Sequence, residues 1–209
     1  MPINPNKISI VGGYGINHLS EYINSCYWRK QVNLINNEKY ADDRNIYSAF
    51  KAQKNHLGEG GVLFVETDTY LTNEAWQIIE NALLKQESFI TVSKNYSKEN
   101  TGGFVVSDNA DNLIKLGYQP KYLNELDGAH RMAGMLFISS KDMQKDFELR
   151  KKLAYKDIDR YYFESLIDFE DKFSIKIISL PENFISAFNT KEEYYETLKT
   201  ANSIKSTDI

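Results

Sequence analysis

Glu66 and Asp68 stand two residues apart directly after the apolar run Gly61–Val65, within Gly60-Gly-Val-Leu-Phe-Val-Glu-Thr-Asp-Thr-Tyr-Leu-Thr72. On an extended chain that spacing turns both carboxylates to one side. There they could hold one hard cation, normally magnesium carrying the phosphates of a nucleotide. The alternative is a pair of acids that simply ends a strand at the surface. Gly12-Gly13-Tyr14-Gly15 is a second candidate, lying between the β-branched run Lys7–Val11 and the helical apolar spacing of His18–Ser25. Its amides could contact phosphate, but the spacing matches neither the dinucleotide fingerprint nor the P-loop. A tight turn that uses glycine for backbone freedom is the other reading. Arg44, Lys94 and Arg131 fall on expected loops or strand ends and could neutralise phosphate charge. Arg131 carries least weight, because Asp127-Gly-Ala-His-Arg131 reads as a turn with a local ion pair worth little. His18, His56 and His130 lack zinc spacing, Cys26 reads as a buried structural thiol, and no serine occupies a nucleophile elbow.

The elements that must position these groups follow from periodicity. Gly61–Val65 is apolar without alternation, as in a parallel strand covered on both faces, and ligands of open α/β sheets collect beyond the carboxyl ends of such strands. Before it, Gln31–Asn36 reads as a strand and Ile46–Lys54 as a helix that Asp43 or Asn45 can cap. After it, Asn73–Leu84 reads as a helix capped by Thr72. This alternation predicts a parallel, helix-covered sheet with right-handed crossovers. The second half changes rhythm: strands at Ser88–Ser93 and Gly103–Ser107, a turn at Asp108–Asp111 and a run from Asn112 to Tyr118 predict a small antiparallel excursion. Gly134–Ser139 reads as a strand returning to the main sheet. Helices are expected at Lys141–Ala154, Asp159–Phe169 and Thr190–Ala201, with a strand at Phe173–Leu180. The expected fold is therefore α/β, a mostly parallel mixed sheet with helices on both faces, Rossmann-like. One domain is expected over residues 1–201, followed by a polar tail, 202–209.

Composition narrows the partners. A chain of 209 residues can bury a proper core, and 42% hydrophobic with 26% charged residues is the balance of an ordinary globular protein. A formal net charge of -4 argues against nucleic acid as a partner. The single cysteine excludes an internal disulfide and fits a reducing cytoplasm. No apolar run approaches a membrane span, and Met1-Pro-Ile-Asn-Pro-Asn6 has no signal-peptide character.

Taken in order, Ile8-Ser-Ile-Val-Gly-Gly-Tyr14, Asn36-Asn-Glu-Lys-Tyr40, Arg44-Asn-Ile-Tyr-Ser48, Glu66-Thr-Asp68 and Phe188-Asn-Thr-Lys-Glu-Glu-Tyr194 resemble segments of a known family. That family is the nucleotidyltransferases that activate small phosphorylated compounds, in particular phosphocholine cytidylyltransferases and the sugar-phosphate nucleotidyltransferases of bacterial surface-glycan pathways. The resemblance covers most of the chain, although no single motif is strong. It implies a nucleotidyltransferase or glycosyltransferase-A-like fold, Mg2+ as cofactor, a nucleoside triphosphate (CTP favoured) and a small phosphorylated acceptor. It also implies Asp68 as a magnesium ligand and Asn45 and Tyr47 near nucleotide or acceptor. Gly134 would allow backbone approach to the acceptor, and Tyr162, Phe163 and Glu164 would face a substrate amine. Ring faces and a carboxylate suit a small cation, while ordinary helix packing is the alternative for those rings.

Two departures qualify the resemblance. The family opens with a strand and a glycine-rich loop with basic residues, and the first strand here corresponds to the family's second. Asn189 stands where the family places a second metal-binding aspartate, and an amide oxygen is a weaker, uncharged ligand. Three readings follow: a piece of a longer enzyme, since Met1–Lys7 reads like a mid-protein loop; a binding relative without catalysis; or a glycosyltransferase whose Glu66-Thr-Asp68 holds the metal of a sugar nucleotide. An opened sheet would call for a homo-oligomer or a partner that completes it.

Overall fold

The computed structural model describes residues 5–58, 60–167 and 173–205. In chain order the elements are β1 (Ile8–Gly12), α1 (Ile16–Ser25), β2 (Val32–Asn36), α2 (Ile46–Lys54), β3 (Val62–Val65), β4 (Thr69–Leu71), α3 (Asn73–Leu83) and β5 (Phe89–Asn95). They continue as β6 (Gly102–Ser107), β7 (Leu113–Gln119), β8 (His130–Ile138), α4 (Met143–Lys156), β9 (Lys176–Ser179), β10 (Ile185–Ala187) and α5 (Lys191–Lys205). The described residues divide into two compact units, one built from 63–137 and 174–205, the other from 5–62 and 138–173. No helix among the described residues is long and apolar enough to cross a membrane.

The first unit carries a six-stranded sheet ordered β7-β6-β8-β5-β9, with β3 also paired to β8. The expected α/β architecture with a mixed sheet is present, and its antiparallel part is larger than the excursion expected from the sequence. β8 runs antiparallel to both β5 and β6, and β6 to β7, while β9 joins β5 in parallel. The β6–β7 turn forms as its residues dictate: Asp108 Oδ1 accepts the Ala110 and Asn112 amides, both at 2.8 Å, and Asp111 takes a left-handed φ of 57°. Buried Phe89, Ile90, Val92, Val105, Met135, Leu136 and Phe137 form the core along these strands, with the Phe89 and Phe137 rings 5.3 Å apart. Thr72 caps α3 as expected, its hydroxyl accepting the Ala75 amide at 3.4 Å. β3 is only partly covered, and Val65 at its end is exposed, so the expected strand sheathed on both faces is half realised. Its apolar run is short, and β8 is the neighbour with which it pairs.

The second unit is organised by a parallel β1–β2 pair with α2 and α4 packed together. Ile46, Tyr47, Phe50, Phe147 and Ala154 make its core, and the Phe50 and Phe147 rings stack at 5.5 Å. Asp43 rather than Asn45 caps α2, its carboxylate accepting the Tyr47 and Ser48 amides at 2.9 and 2.8 Å. The helix expected over 159–169 is instead a short 3-10 turn, Tyr162–Leu166, after an extended Tyr161; residues 168–172 lie outside the described ones. The carbonyls of Ile158 and Arg160 accept the Arg44 and Ile46 amides, so this segment is spent on pairing with the start of α2. Cys26, expected to be buried, is partly exposed beyond the end of α1, and its thiol donates to the Tyr22 carbonyl at 3.3 Å. At the other end of the sequence α5 extends to Lys205.

Candidate functional site

Glu66 follows β3 directly, and its amide continues the strand ladder by donating to the Gly134 carbonyl at 2.9 Å. Gly134 lies where β8 bulges against β5: Met132 is opposite Val92 and Leu136 opposite Ile90, so two extra residues on β8 bow outward. The bulge needs glycine. Its φ is +72°, and a Cβ there would come within 2.9 Å of both Glu66 Oε2 and Thr69 Oγ1. Gly134 thus lets β8 press against the acidic turn. Its replacement by alanine is expected to lower stability by about 1–2 kcal/mol from the left-handed backbone alone, read as a drop in urea midpoint, with more if Glu66 is displaced.

Burial of the Glu66 carboxyl, joined by the charge of Asp68 and opposed by Arg131, pushes its pKa up to about 7. The folded chain therefore keeps a proton that the unfolded chain, with its ordinary value of 4.5, releases earlier. This group's favourable contribution is complete below pH 4.5 and is lost as pH rises towards 7. In the absence of a cation, Glu66→Gln is expected to flatten the dependence and to be the more stable protein at pH 8 by up to about 3 kcal/mol. Urea unfolding of both proteins at pH 4.5 and pH 8 checks this, and parallel pH profiles would refute it.

Asp68 and Asn189 are brought together by a contact between residues far apart in sequence. β4 pairs antiparallel with β10, matching Thr69 to Ala187 and Leu71 to Ile185, and the Phe188 amide donates to the Asp68 carbonyl at 2.9 Å. Asn189 follows immediately, its amide held by Glu193 Oε2 at 2.7 Å. Among the described residues no three His, Cys, Asp or Glu side chains stand as a ready-made metal cluster. The two carboxylates, whose charges reach one another, are nonetheless oxygen donors of the kind magnesium takes, an ion normally held by one or two protein carboxylates together with water and substrate phosphate.

Arg131, weighted least among the candidate cations, is the one whose charge reaches Glu66. The expected local ion pair with Asp127 does not form. Arg131 Nη1 donates to the Gly103 carbonyl at 3.2 Å, while Asp127 accepts the Tyr122 hydroxyl. The guanidinium fits because Gly102, at φ +114°, leaves room where a Cβ would lie 2.9 Å from Nη2. β8 begins at His130, four residues before the strand start expected at Gly134, and Arg131 therefore lies on the strand itself rather than in a turn. Lys94 sits near the end of β5, partly exposed.

The remaining candidates lie in the second unit and are engaged in holding it together. Arg44 pairs with Asp159, donates to the Tyr161 hydroxyl at 3.2 Å and lies 5.4 Å over that ring. Asn45 Oδ1 accepts the Tyr162 amide at 2.6 Å. Tyr47 is buried in the core; its hydroxyl donates to Glu38 at 2.8 Å, and burial, then Glu38, pushes its pKa up to about 12. Tyr162 and Phe163 are buried, and Glu164 caps its own turn by accepting the Tyr161 amide at 2.7 Å. The Phe163 ring stacks on that of Tyr161, the centroids 5.4 Å apart.

Over residues 3–119 the chain matches the family described as Domain of unknown function (DUF6564), and no curated protein matches it. Among solved structures it is similar to the CTP:phosphocholine cytidylyltransferase from Streptococcus pneumoniae, at 21% identity and a TM-score of 0.69, over 92% of this chain and 77% of that one. It is similar to the inositol-1-phosphate CTP transferase from T. maritima at 13% identity and a TM-score of 0.66, over 90% and 72% of the two chains. It is also similar to a UDP-glucose pyrophosphorylase crystallised in its apo form, at 10% identity and a TM-score of 0.72, over 97% and 82%. At these identities the likeness is one of fold, and the expected nucleotidyltransferase-like architecture is the one observed. Matched over more than half of its length, the chain belongs to the family described as Domain of unknown function (DUF6564).

Proposed function

We propose that the chain acts as a nucleotidyltransferase, joining a nucleoside triphosphate, CTP favoured, to a small phosphorylated acceptor. The observation that carries this reading is the Glu66–Asp68 pair, held at the end of β3 against the Gly134 bulge, with Arg131 in electrostatic reach, on a fold shared with nucleotidyltransferases. An acceptor phosphate oxygen attacks the α-phosphorus of the triphosphate; a new P–O bond forms, the α–β bridge breaks, and pyrophosphate leaves with the electron pair. The acceptor is already an anionic nucleophile, so no general base is needed, and catalysis rests on alignment and charge neutralisation.

Asp68 and Glu66 would hold Mg2+, with Asn189 as a third oxygen donor. The ion would supply Lewis-acid neutralisation of phosphate charge. Its charge would also favour the ionised form of Glu66, which burial disfavours. Arg131 and Lys94 would add positive charge beside the phosphates, and Gly134 would open the backbone to the acceptor. In this reading Arg44, Asn45, Tyr47, Tyr162, Phe163 and Glu164 act by bracing their own unit, and the reaction serves surface-glycan synthesis in the cytoplasm.

The test is pyrophosphate release from CTP, UTP or ATP with Mg2+ and phosphocholine or sugar 1-phosphates. Release that depends on both acceptor and metal supports the reading. A nucleoside diphosphate or monophosphate released from an activated sugar would replace it with glycosyl transfer, and neither product would leave a binding protein.

A further inference from the structure

β1, in the second unit, has a strand beside it on one side only. It pairs in parallel with β2, from Ile8 opposite Val32 to Gly12 opposite Asn36, and among the described residues no strand pairs with its other edge. The phase of the ladder fixes what that edge presents. The Gly12 carbonyl accepts the Asn37 amide at 2.7 Å, so Gly12, and with it Ile10 and Ile8, turn their backbone groups to β2. Ser9 and Val11 alternate with them and each turn an N–H and a C=O to the open side. Both faces of the strand are covered. α2 packs on β1, and Ser9 Oγ lies 2.9 Å from His56 Nε2 just past that helix; on the opposite face a Cβ added to Gly12 would meet Leu19 and Ile16 of α1. All five residues Ile8–Gly12 nevertheless stay only partly buried. A strand roofed by helices on both faces and still part-exposed is open along its edge.

Isolated two-stranded sheets are marginal, and parallel strands belong almost always to larger covered sheets. Natural edges are blunted by charge, proline or a bulge. Ile8-Ser-Ile-Val-Gly12 has none of these, whereas β2, the other border of the pair, carries exposed Asn33 and Asn36. We propose that the open edge of β1 pairs with the same edge of a second copy of the chain, antiparallel about a two-fold axis at Ile10. Centred there, the strands overlap along their whole length, and Ser9 of each copy stands opposite Val11 of the other. Each such pair exchanges both N–H···O bonds, so every outward group of both edges finds a partner. No charged side chain falls within the overlap, so no like charges are opposed, and Ile10 packs against Ile10 of the second copy. The second copy is the occupant because it supplies, by identity, an uncharged apolar edge whose outward groups have the matching phase. Every residue involved lies in the second unit, and the pairing is independent of the reaction proposed above.

The experiment is sedimentation velocity of the full chain at concentrations rising to about 100 μM, with amide hydrogen exchange resolved to single residues at both ends of the range. A dimer is expected at high concentration, with the Ser9 and Val11 amides exchanging about tenfold or more slowly than in the dilute chain. The Ile10 and Gly12 amides, bonded to β2, are expected to be slow at both. Val11→Pro removes only an outward N–H, and Ile10→Lys sets two ammonium groups face to face across the axis; each is expected to leave a monomer in which Gly12 remains protected. A parent chain that stays monomeric would overturn the pairing. A dimer whose Ser9 and Val11 amides exchange as fast as those of the monomer, or one that persists in both variants, would overturn it too, because the copies would then meet elsewhere. If a variant does not fold, exchange at Ser9 and Val11 of the parent chain still decides.

Discussion

Asp68→Asn is expected to lower acceptor-dependent pyrophosphate release by about a thousandfold or more, with the fold intact. The substitution keeps the shape of the side chain and removes the charge that would bind magnesium. The link between Asp68 and Phe188 runs through the Asp68 carbonyl, so the β4–β10 pairing does not depend on the carboxylate. A second effect should accompany the first. Asp68 is one of the two influences that raise Glu66, so its neutralisation should bring the Glu66 titration down from about 7 towards its ordinary value. Titration of the Glu66 carboxyl by NMR, beside the pyrophosphate assay, separates electrostatic loss from misfolding. Full turnover in Asp68→Asn would end the case for this carboxylate as the metal ligand.

Arg150→Ala is expected to be the most damaging single change to stability, by about 3–5 kcal/mol. Arg150 and Asp146 are both fully buried, one turn apart on α4, and pair at 2.8 Å. Asp146 also accepts Gln53 Nε2 at 2.8 Å and the Ser165 hydroxyl at 2.9 Å. Arg150 donates in turn to Gln53 Oε1 at 2.9 Å and to the Tyr162 carbonyl. One charge pair thus fastens α2, α4 and the turn at Tyr162–Leu166. Truncating the arginine leaves a buried carboxylate without its countercharge, and that uncompensated charge accounts for most of the cost. The double substitution Asp146→Leu with Arg150→Met removes both charges and should recover much of the loss. Urea unfolding of the two proteins checks the pair; a single variant as stable as the parent would show that the network contributes little.

Much of this architecture is legible from neighbours in the chain. The β-branched runs of β1, β2 and β5, the apolar spacing of α2 and α3, the Thr72 cap and the Asp108–Asp111 turn arise from side chains acting on backbone within a few residues. The spacing of Glu66 and Asp68 is of the same local kind. What escaped is what depends on distant partners. Strands as short as β4 and β10 have too few residues to show a period, yet their pairing is what sets Asn189 beside Asp68. Arg150 looks like one more charge on a polar helix, and only packing against Gln53 and Ser165 makes it a buried keystone.

From the order of its residues alone, this chain determined its α/β class, the places where strands run into helices, and a pair of acids at the end of one strand. Tertiary structure decided how those acids behave. The bulge at Gly134 and the placement of Arg131 set the burial and field around Glu66, while pairing with residues 158–162 turned Asn45 into a tether. The physical reason is that a carboxylate's proton affinity and an arginine's countercharge depend on what surrounds them in space. Those surroundings come from strands and turns many tens of residues away.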